Sequence, residues 1–224
     1  KRQGIVKKYN GTSFADVAGT IAVSLYAAWG TAATDLMMVG ASGTIVRYNG
    51  TSFTSSSPVD NLTGVSAPWN GLSGSTSDNL VAVGDWGATV KWDGTQWRST
   101  PNDIYLRFRG ISGPSDNLWA VADDQTPVTG KPKILQWNGS AWSSTGITLP
   151  GAFSASLRAI WVSGTDGVAV GFSDSVLRRS GNNWTAAVVT PKVGTVLRAI
   201  WGSDAQNVWI VGGGQEGPNG EDFT

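Results

Sequence analysis

"LRAIWVSGTDGVAVG" at Leu157–Gly171 and "LRAIWGSDAQNVWIVGGG" at Leu197–Gly214 are two copies of nearly the same sequence, forty residues apart. Each copy reads as an apolar strand, a polar turn and a second apolar strand that ends near glycine. This half-motif occurs five times in the chain, at Tyr26–Gly40, Asn70–Gly84, Arg109–Ala122, Arg158–Gly171 and Arg198–Gly212. A repeat with a period of about forty residues is typical of architectures built from stacked equivalent units.

A second half-motif follows, made of a short apolar strand, an Asn-Gly, Asp-Gly or similar pair, and a terminal aromatic residue. Its copies are "KKYNGTSF" at Lys7, "VRYNGTSF" at Val46, "VKWDGTQW" at Val90, "LQWNGSAW" at Leu135 and "LRRSGNNW" at Leu177. The terminal aromatics, Phe14, Phe53, Trp97, Trp142 and Trp184, are spaced by 39, 44, 45 and 42 residues. Asn-Gly and Asp-Gly favour tight hairpins, so each period predicts the four antiparallel strands of a propeller blade.

We therefore predict an all-β fold, a β-propeller of four-stranded antiparallel blades, as a single domain over residues 1–224. Because a blade has two apolar faces, its neighbours must stack against it. The chain begins with a second half-motif and ends with a first one, so the N- and C-terminal segments are predicted to share one blade. That arrangement gives five blades if the chain is complete and six to eight if it is a fragment. The expected segments are 1–20 (outer strands of the closing blade), 21–63, 64–105, 106–150 and 151–191 (one blade each), and 192–224 (inner strands of the closing blade).

The turns "NGTSF", "DGTQW" and "NGSAW", with "GASGTIV" at Gly40 and "GDWGATV" at Gly84, resemble the Asp-box (BNR) and photosystem assembly factor-like propeller repeats. The whole period, with "IWGS" and "VWIVGG", is similar to tandem repeats in secreted or surface proteins of Gram-negative bacteria. The resemblance implies a propeller and says little about activity, because propellers support many functions. It departs from the full Asp-box at Lys91, where that motif has Ser or Thr.

The composition excludes several classes of function. Sixteen basic and sixteen acidic residues cancel, which removes the general attraction that nucleic acid requires. No apolar run approaches the eighteen residues of a membrane span, so no membrane insertion is expected. The chain has no His and no Cys, which excludes disulfides, thiol nucleophiles, histidine bases and the usual zinc or copper sites. We expect a protein that is not an enzyme and uses no cofactor or metal.

Alignment of the first strands places five residues at one equivalent position, near the expected channel mouth: Tyr26, Asn70, Arg109, Arg158 and Arg198. Three guanidinium groups in one ring predict a site for an anionic ligand, since arginine binds carboxylate or phosphate in fork geometry. The alternative is that each arginine pairs with an acidic residue or with carbonyl groups of the next blade.

The loops at the same end supply further candidates for ligand contact. Trp86 lies in its type of short loop at a position where no other repeat has an aromatic residue, and Asp123 and Asp124 lie at the start of the long loop "ADDQTPVTGKPK". The alternatives are that Trp86 lies across a neighbouring loop and that the two aspartates form a solvated turn or help to hold Ca²⁺. Most other tryptophans are expected to pack between blades.

The sequence thus predicts a non-enzymatic binding or structural module of bacteria, extracellular, at the cell surface or in the periplasm. Its loop face would contact a protein or glycan partner, within a larger chain or complex. One alternative is a lectin with aromatic-floored pockets. Another is a glycoside-cleaving propeller, which would need a pair of carboxylates drawn from residues such as Asp85, Asp123 or Asp124.

Overall fold

The structure, a computed structural model, describes residues 4–58, 67–100, 106–124, 131–151, 154–188, 194–216 and 222–223. The chain divides into two compact units, Lys1–Asn102 and Asp103–Thr224. The described residues form antiparallel sheets joined by turns, and the four-stranded sheets confirm the predicted all-β fold of four-stranded blades. The segment boundaries predicted from the sequence, and a single domain over 1–224, stay predictions.

The first unit contains one two-stranded and two four-stranded sheets. The N-terminal half-blade consists of β1 (Lys7–Tyr9) and β2 (Phe14–Asp16). Blade 1 consists of β3 (Leu25–Ala32), β4 (Asp35–Gly40), β5 (Ile45–Tyr48) and β6 (Phe53–Ser56). Blade 2 consists of β7 (Trp69–Thr76), β8 (Asn79–Gly84), β9 (Thr89–Trp92) and β10 (Trp97–Ser99).

The second unit repeats this organisation. Blade 3 consists of β11 (Leu106–Ser112), β12 (Trp119–Asp124), β13 (Pro132–Trp137) and β14 (Trp142–Ser143). Blade 4 consists of β15 (Leu157–Ser163), β16 (Asp166–Gly171), β17 (Val176–Ser180) and β18 (Asn183–Ala186). The C-terminal half-blade consists of β19 (Leu197–Asp204) and β20 (Asn207–Gly212), followed by the short pair β21 (Gln215–Glu216) and β22 (Asp222–Phe223).

An Asn-Gly or Asp-Gly pair closes the outer hairpins of blades 1 to 3 and the hairpin of the N-terminal half-blade, whereas blade 4 has Ser180-Gly181. In blade 1, Oδ1 of Asn49 accepts hydrogen bonds from the backbone N–H groups of Thr51 and Ser52, at 3.0 and 2.9 Å. Four turns share this pattern, with the side-chain oxygen supplied by Asn10, Asn49, Asp93 and Asn138. The side chain replaces a backbone acceptor, which is why Asn and Asp are favoured in such turns.

Within each unit, an apolar core lies between its two blades. In the first unit, Trp69 of blade 2 is buried among residues of both blades, and its Nε1 donates a hydrogen bond to the carbonyl oxygen of Gly43 in blade 1, at 2.9 Å. In the second unit, Trp119 of blade 3 packs with Leu157 and Trp184 of blade 4. Burial between blades explains why the motif has to recur, because each sheet covers the apolar face of its neighbour.

The two terminal half-blades differ from the interior blades in strand number. β1–β2 and β19–β20 are separate two-stranded sheets. One face of β19–β20 packs through Ile200 and Ile210 on Val168 and Val170 of blade 4. The closing blade that the two terminal segments are predicted to share would need both half-blades, and its closure stays a prediction.

Candidate functional site

The first strand of each blade and of the C-terminal half-blade contains a β-bulge at the same place. The register of the strand pair shifts there, so that one residue of the first strand has no paired residue opposite it. The five bulge residues are Tyr26, Asn70, Arg109, Arg158 and Arg198. A bulge re-aims a side chain and commonly lies next to functional sites. The five aligned residues therefore share one local structural position, while convergence of the three arginines on a ligand stays a prediction.

Three bulge residues contact a residue near or just beyond the end of the second strand of their own blade, at an equivalent place. Asn70 Nδ2 donates to Asp85 Oδ1 at 2.6 Å, and Arg109 Nε donates to Asp123 Oδ2 at 2.8 Å. The Arg158 guanidinium lies over the Phe172 ring, 4.4 Å from its centroid. The residue just before the bulge pairs with a residue of the second strand, and the contacted residue comes next along the chain. The residues at this position in the five repeats are Ala41, Asp85, Asp123, Phe172 and Gly213.

These contacts show that the three predicted arginines have different environments. Arg109 forms the acidic pairing that the sequence left open as an alternative, although the carboxylate comes from its own blade. Both side chains of that pair are largely buried, with 23% and 14% of the Arg109 and Asp123 side chains exposed. An anionic ligand at Arg109 would have to displace Asp123. Arg198 is exposed, and the residue at the equivalent contacted position of its half-blade is Gly213.

The two aspartates predicted at the long loop have different partners. Asp123 holds Arg109 with one oxygen and accepts a hydrogen bond from Ser156 Oγ, at 2.7 Å, with the other. Asp124 lies 3.5 Å from Lys133 Nζ. Among the described residues, no group of three or more acidic side chains is placed to hold a metal ion. Asp123 thus links blade 3 to the residue that precedes β15.

In the part of the chain that the structure describes, no helix has the length and apolar character needed to cross a bilayer.

Trp86 lies in a tight turn between the second and third strands of blade 2. Its φ of 61° and ψ of 28° are left-handed, and half of its surface is exposed (50%). The turn is fixed by hydrogen bonds from Gly84 N to Ala88 O and from Ala88 N to Asp85 O, at 2.9 and 3.1 Å. The structure therefore presents Trp86 at the surface on a well-defined backbone.

The equivalent turns of blades 1 and 4 carry serine where blade 2 carries Trp86. Ser42 and Ser173 have φ values of 56° and 53°. The turn thus requires left-handed backbone whatever its side chain, and this conformation is much less favourable for a bulky residue than for a small polar one. Half of the Trp86 side chain stays exposed, so a large apolar surface remains available to a partner beside a backbone conformation that bulky residues rarely adopt.

Sequence reasoning missed a groove between the outer strands of blades 1 and 2. Its volume is about 560 Å³. Thr54, Ser55 and Ser56 of β6 form one wall, and Trp92 and Trp97 of the β9–β10 hairpin contribute to the other. The two indole rings contact each other with centroids 5.4 Å apart. The groove is of the size that commonly accommodates a ligand.

A signal for this groove was present in the sequence. β6 has the sequence "FTSS", which carries no charge, whereas exposed edge strands are commonly protected by charge, proline or a bulge. The sequence alone could not show that the tryptophans of the next hairpin lie across from this strand, because that depends on how two blades stack.

Comparison with known proteins identifies structures of similar fold. No protein-family model matches the chain, and no curated protein matches it. Among solved structures, one described as YCF48 bound to a D1 peptide is 17% identical with a TM-score of 0.63, over 90% of this chain and 66% of that one. YCF48 from Cyanidioschyzon merolae is 14% identical with a TM-score of 0.69, over 93% and 74%. The Pan2 WD40 domain of Neurospora crassa is 11% identical with a TM-score of 0.55, over 94% and 73%.

These structures are β-propellers, and the chain has their fold. Identities this low are evidence for fold alone. The predicted resemblance to propeller repeats is therefore confirmed at the level of the fold, and its Asp-box features stay predictions. The chain spans 66% of the YCF48–peptide structure.

Proposed function

We propose that the chain is a non-enzymatic interaction module that binds a protein partner through the face of blade 2 that carries the turn between its second and third strands. The observation that carries the proposal is Trp86, an exposed tryptophan held in left-handed backbone at a position where the other described turns have serine. Strained residues persist where the surrounding structure enforces them, and they cluster at binding sites. Rigid exposed tryptophans are also the side chains that contribute most energy at protein interfaces.

Two further observations support a binding role. A propeller of similar fold is described as bound to a D1 peptide, so peptide binding is within the capacity of this architecture. In this chain the absence of His and Cys from the sequence removes histidine general bases and cysteine nucleophiles. We also propose that the module acts outside the cytoplasm, at a bacterial surface or in the periplasm, as its resemblance to secreted repeats implies.

A glycan is the second candidate ligand, favoured by the same observation. An exposed indole ring stacks on sugar rings as readily as on apolar side chains. Asp85, the residue before Trp86, and its hydrogen-bond partner Asn70 supply polar atoms. A glycan ligand would engage these groups together with Trp86.

The test compares Trp86→Ser, which installs the residue found at positions 42 and 173, with the matched control Trp209→Ser, at another exposed tryptophan. Phage-displayed random peptides are selected on the wild-type chain, and the chain is also applied to a glycan array. We expect selected peptides to bind Trp86→Ser at least tenfold more weakly and the control unchanged, with both variants melting close to the wild type.

Other outcomes decide between the alternatives. Peptides that bind both variants equally would remove Trp86 from the proposal. Glycan signals lost in Trp86→Ser, without peptide binding, would identify a lectin. Release of nitrophenol from nitrophenyl glycosides by the purified chain would contradict the non-enzymatic assignment, and recovery of the protein in the cytoplasmic fraction of its host would contradict the location.

A further inference from the structure

The outer edge of blade 4 is covered by an extended segment of the same unit. Thr148 N donates to Asn182 O at 3.3 Å, and Trp184 N donates to Thr148 O at 2.9 Å. Thr148 and Asn183 form a parallel β-bridge. The residues on either side, Ile147 and Leu149, pack against the cluster that contains Trp184. An aliphatic–Thr–aliphatic segment thus adds a short strand to β18 and covers its tryptophan.

Among the residues that the structure describes, blade 2 has the same hairpin with its edge open to the groove described above. The strand pairings Trp92↔Trp97 and Arg179↔Trp184 make Trp97 the equivalent of Trp184, and Thr95 the equivalent of Asn182. Trp184 is 2% exposed, whereas Trp97 is half-buried and lines the groove. Thr95, Gln96 and Trp97 all border this space.

The backbone of this hairpin is oriented to accept another strand. Asp93 N donates to Gln96 O at 3.2 Å. Hydrogen-bonded and non-hydrogen-bonded pairs alternate along an antiparallel ladder, so the next pair, Trp92 and Trp97, directs its backbone groups away from each other. The Trp97 N–H therefore points to the same side of its hairpin as the Trp184 N–H, which donates a hydrogen bond to Thr148 O.

The charges of the groove define the occupant further. Its lining includes one ionic side chain, Arg47, and Arg47 pairs with Asp35 at 3.1 Å. A charged ligand group would find no unpaired opposite charge there to offset the cost of losing its hydration. An uncharged segment avoids that cost. The serine and threonine hydroxyl groups of β6 suit the backbone of an extended chain.

We propose that the groove between β6 and β10 binds an extended, uncharged segment of a partner protein with two aliphatic side chains flanking a small polar residue. The segment adds to the Thr95–Trp97 edge as Ile147–Leu149 adds to β18, with its backbone bonded to Thr95 O and Trp97 N. Such strand addition is a recurrent mode of peptide recognition. This site goes beyond the proposed function, because Trp86 does not line the groove.

The probe is a synthetic peptide of residues 145–151, TGITLPG, blocked at both ends and added to the full ¹⁵N-labelled chain. We expect the backbone amide signals of Gln96 and Trp97 to shift. A peptide carrying Ile147→Ser and Leu149→Ser should bind at least tenfold more weakly. In the chain, Ser55→Phe should fill the groove and weaken binding at least tenfold, while Ala186→Phe, at the equivalent exposed position of blade 4, should change it less than twofold.

Each remaining outcome overturns the proposal. These are shifts confined to the Trp184 region, equal binding of the serine-substituted peptide, or the same amide shifts on adding cellohexaose or maltohexaose. Retained peptide binding in Trp86→Ser is expected, so failure here and failure of the face proposed above are separate results.

Discussion

Trp119 and Trp209 occupy the same position of the repeat, near the start of the second strand, and their environments are opposite. Trp119 is fully buried, with 0% of its surface exposed, whereas Trp209 is 71% exposed. The Trp119 ring lies 5.9 Å from the Trp184 ring, and the Arg179 guanidinium stands 3.9 Å above it. Blade 4 supplies both partners. Trp209 faces away from the cluster that joins its half-blade to blade 4.

The difference shows that the repeat encodes only one side of each apolar interface. The other side comes from the following repeat, so an identical residue is core in one copy and surface in another. Sequence periodicity identifies the position of a residue in the repeat. The number of neighbouring blades decides how much its burial contributes to stability.

The largest expected effect tests the buried member of this pair. Trp119→Ala should lower the free energy of unfolding by about 3–5 kcal/mol, because it removes a large buried side chain and leaves a cavity. It also removes the surface on which Arg179 rests, and burial already lowers the pKa of that guanidinium. Urea unfolding followed by circular dichroism measures the change. A loss below about 1 kcal/mol would mean that the interface between blades 3 and 4 contributes little.

The second prediction concerns the attachment of the C-terminal half-blade to blade 4. Asp174, buried and 4% exposed, accepts hydrogen bonds from Gly194 N at 2.6 Å and from Thr195 Oγ1 at 2.5 Å. Asp174→Ala should cost about 1–2 kcal/mol, since it removes the acceptor of hydrogen bonds that are partly shielded from water. Hydrogen exchange of β19 and β20 should accelerate more than exchange of β12. Uniform acceleration would argue against a local attachment.

The third prediction concerns a feature that the complete blades share with the N-terminal half-blade, the outer hairpin turn. The pKa of Asp93 is held well below its ordinary value by hydrogen bonds from the Thr95 hydroxyl, from Arg98 and from two backbone N–H groups. A lowered folded-state pKa contributes stability above about pH 4 that is lost as the pH falls. Asp93→Asn installs the residue of the other turns.

Urea midpoints at pH 7, 5, 4 and 3 measure this contribution. We expect the wild type to lose more stability than Asp93→Asn between pH 5 and pH 3, with the two curves converging at the acid end. Parallel curves over that range would show that the Asp93 carboxylate has no net effect on folding.

The smallest expected effect tests the exposed member of the pair. Trp209→Ala should change the free energy of unfolding by less than about 0.5 kcal/mol, as exposed substitutions usually do. The same urea titration used for Trp119→Ala gives a direct comparison. A loss comparable to that of Trp119→Ala would show that Trp209 is covered in solution.

The sequence was sufficient to predict the strands, their antiparallel pairing and the hairpin turns, because these depend on local patterns such as the alternation around Asn49-Gly50. It also aligned Tyr26 with Arg109 correctly as equivalent positions. The bulge at that position could not be foreseen, because it appears only when two strands are paired.

The partners of the candidate site were harder to predict. The Arg109–Asp123 pair joins residues fourteen positions apart, a separation set by the length of one hairpin and its bulge. The groove beside Trp97 depends on stacking between two blades, which no local pattern encodes. Trp86 was recognisable in the sequence as an exception to the repeat, while its left-handed backbone became visible only in the structure.

Three bulge residues each contact a residue of their own blade, and this has an evolutionary consequence. The pairs are Asn70 with Asp85, Arg109 with Asp123 and Arg158 with Phe172. A change in one member of a pair is compensated first by the other member, within the same repeat, although Asp123 also contacts Ser156 ahead of the next blade. The chemistry at this position can therefore diversify largely copy by copy after duplication, while the strands that carry it remain interchangeable.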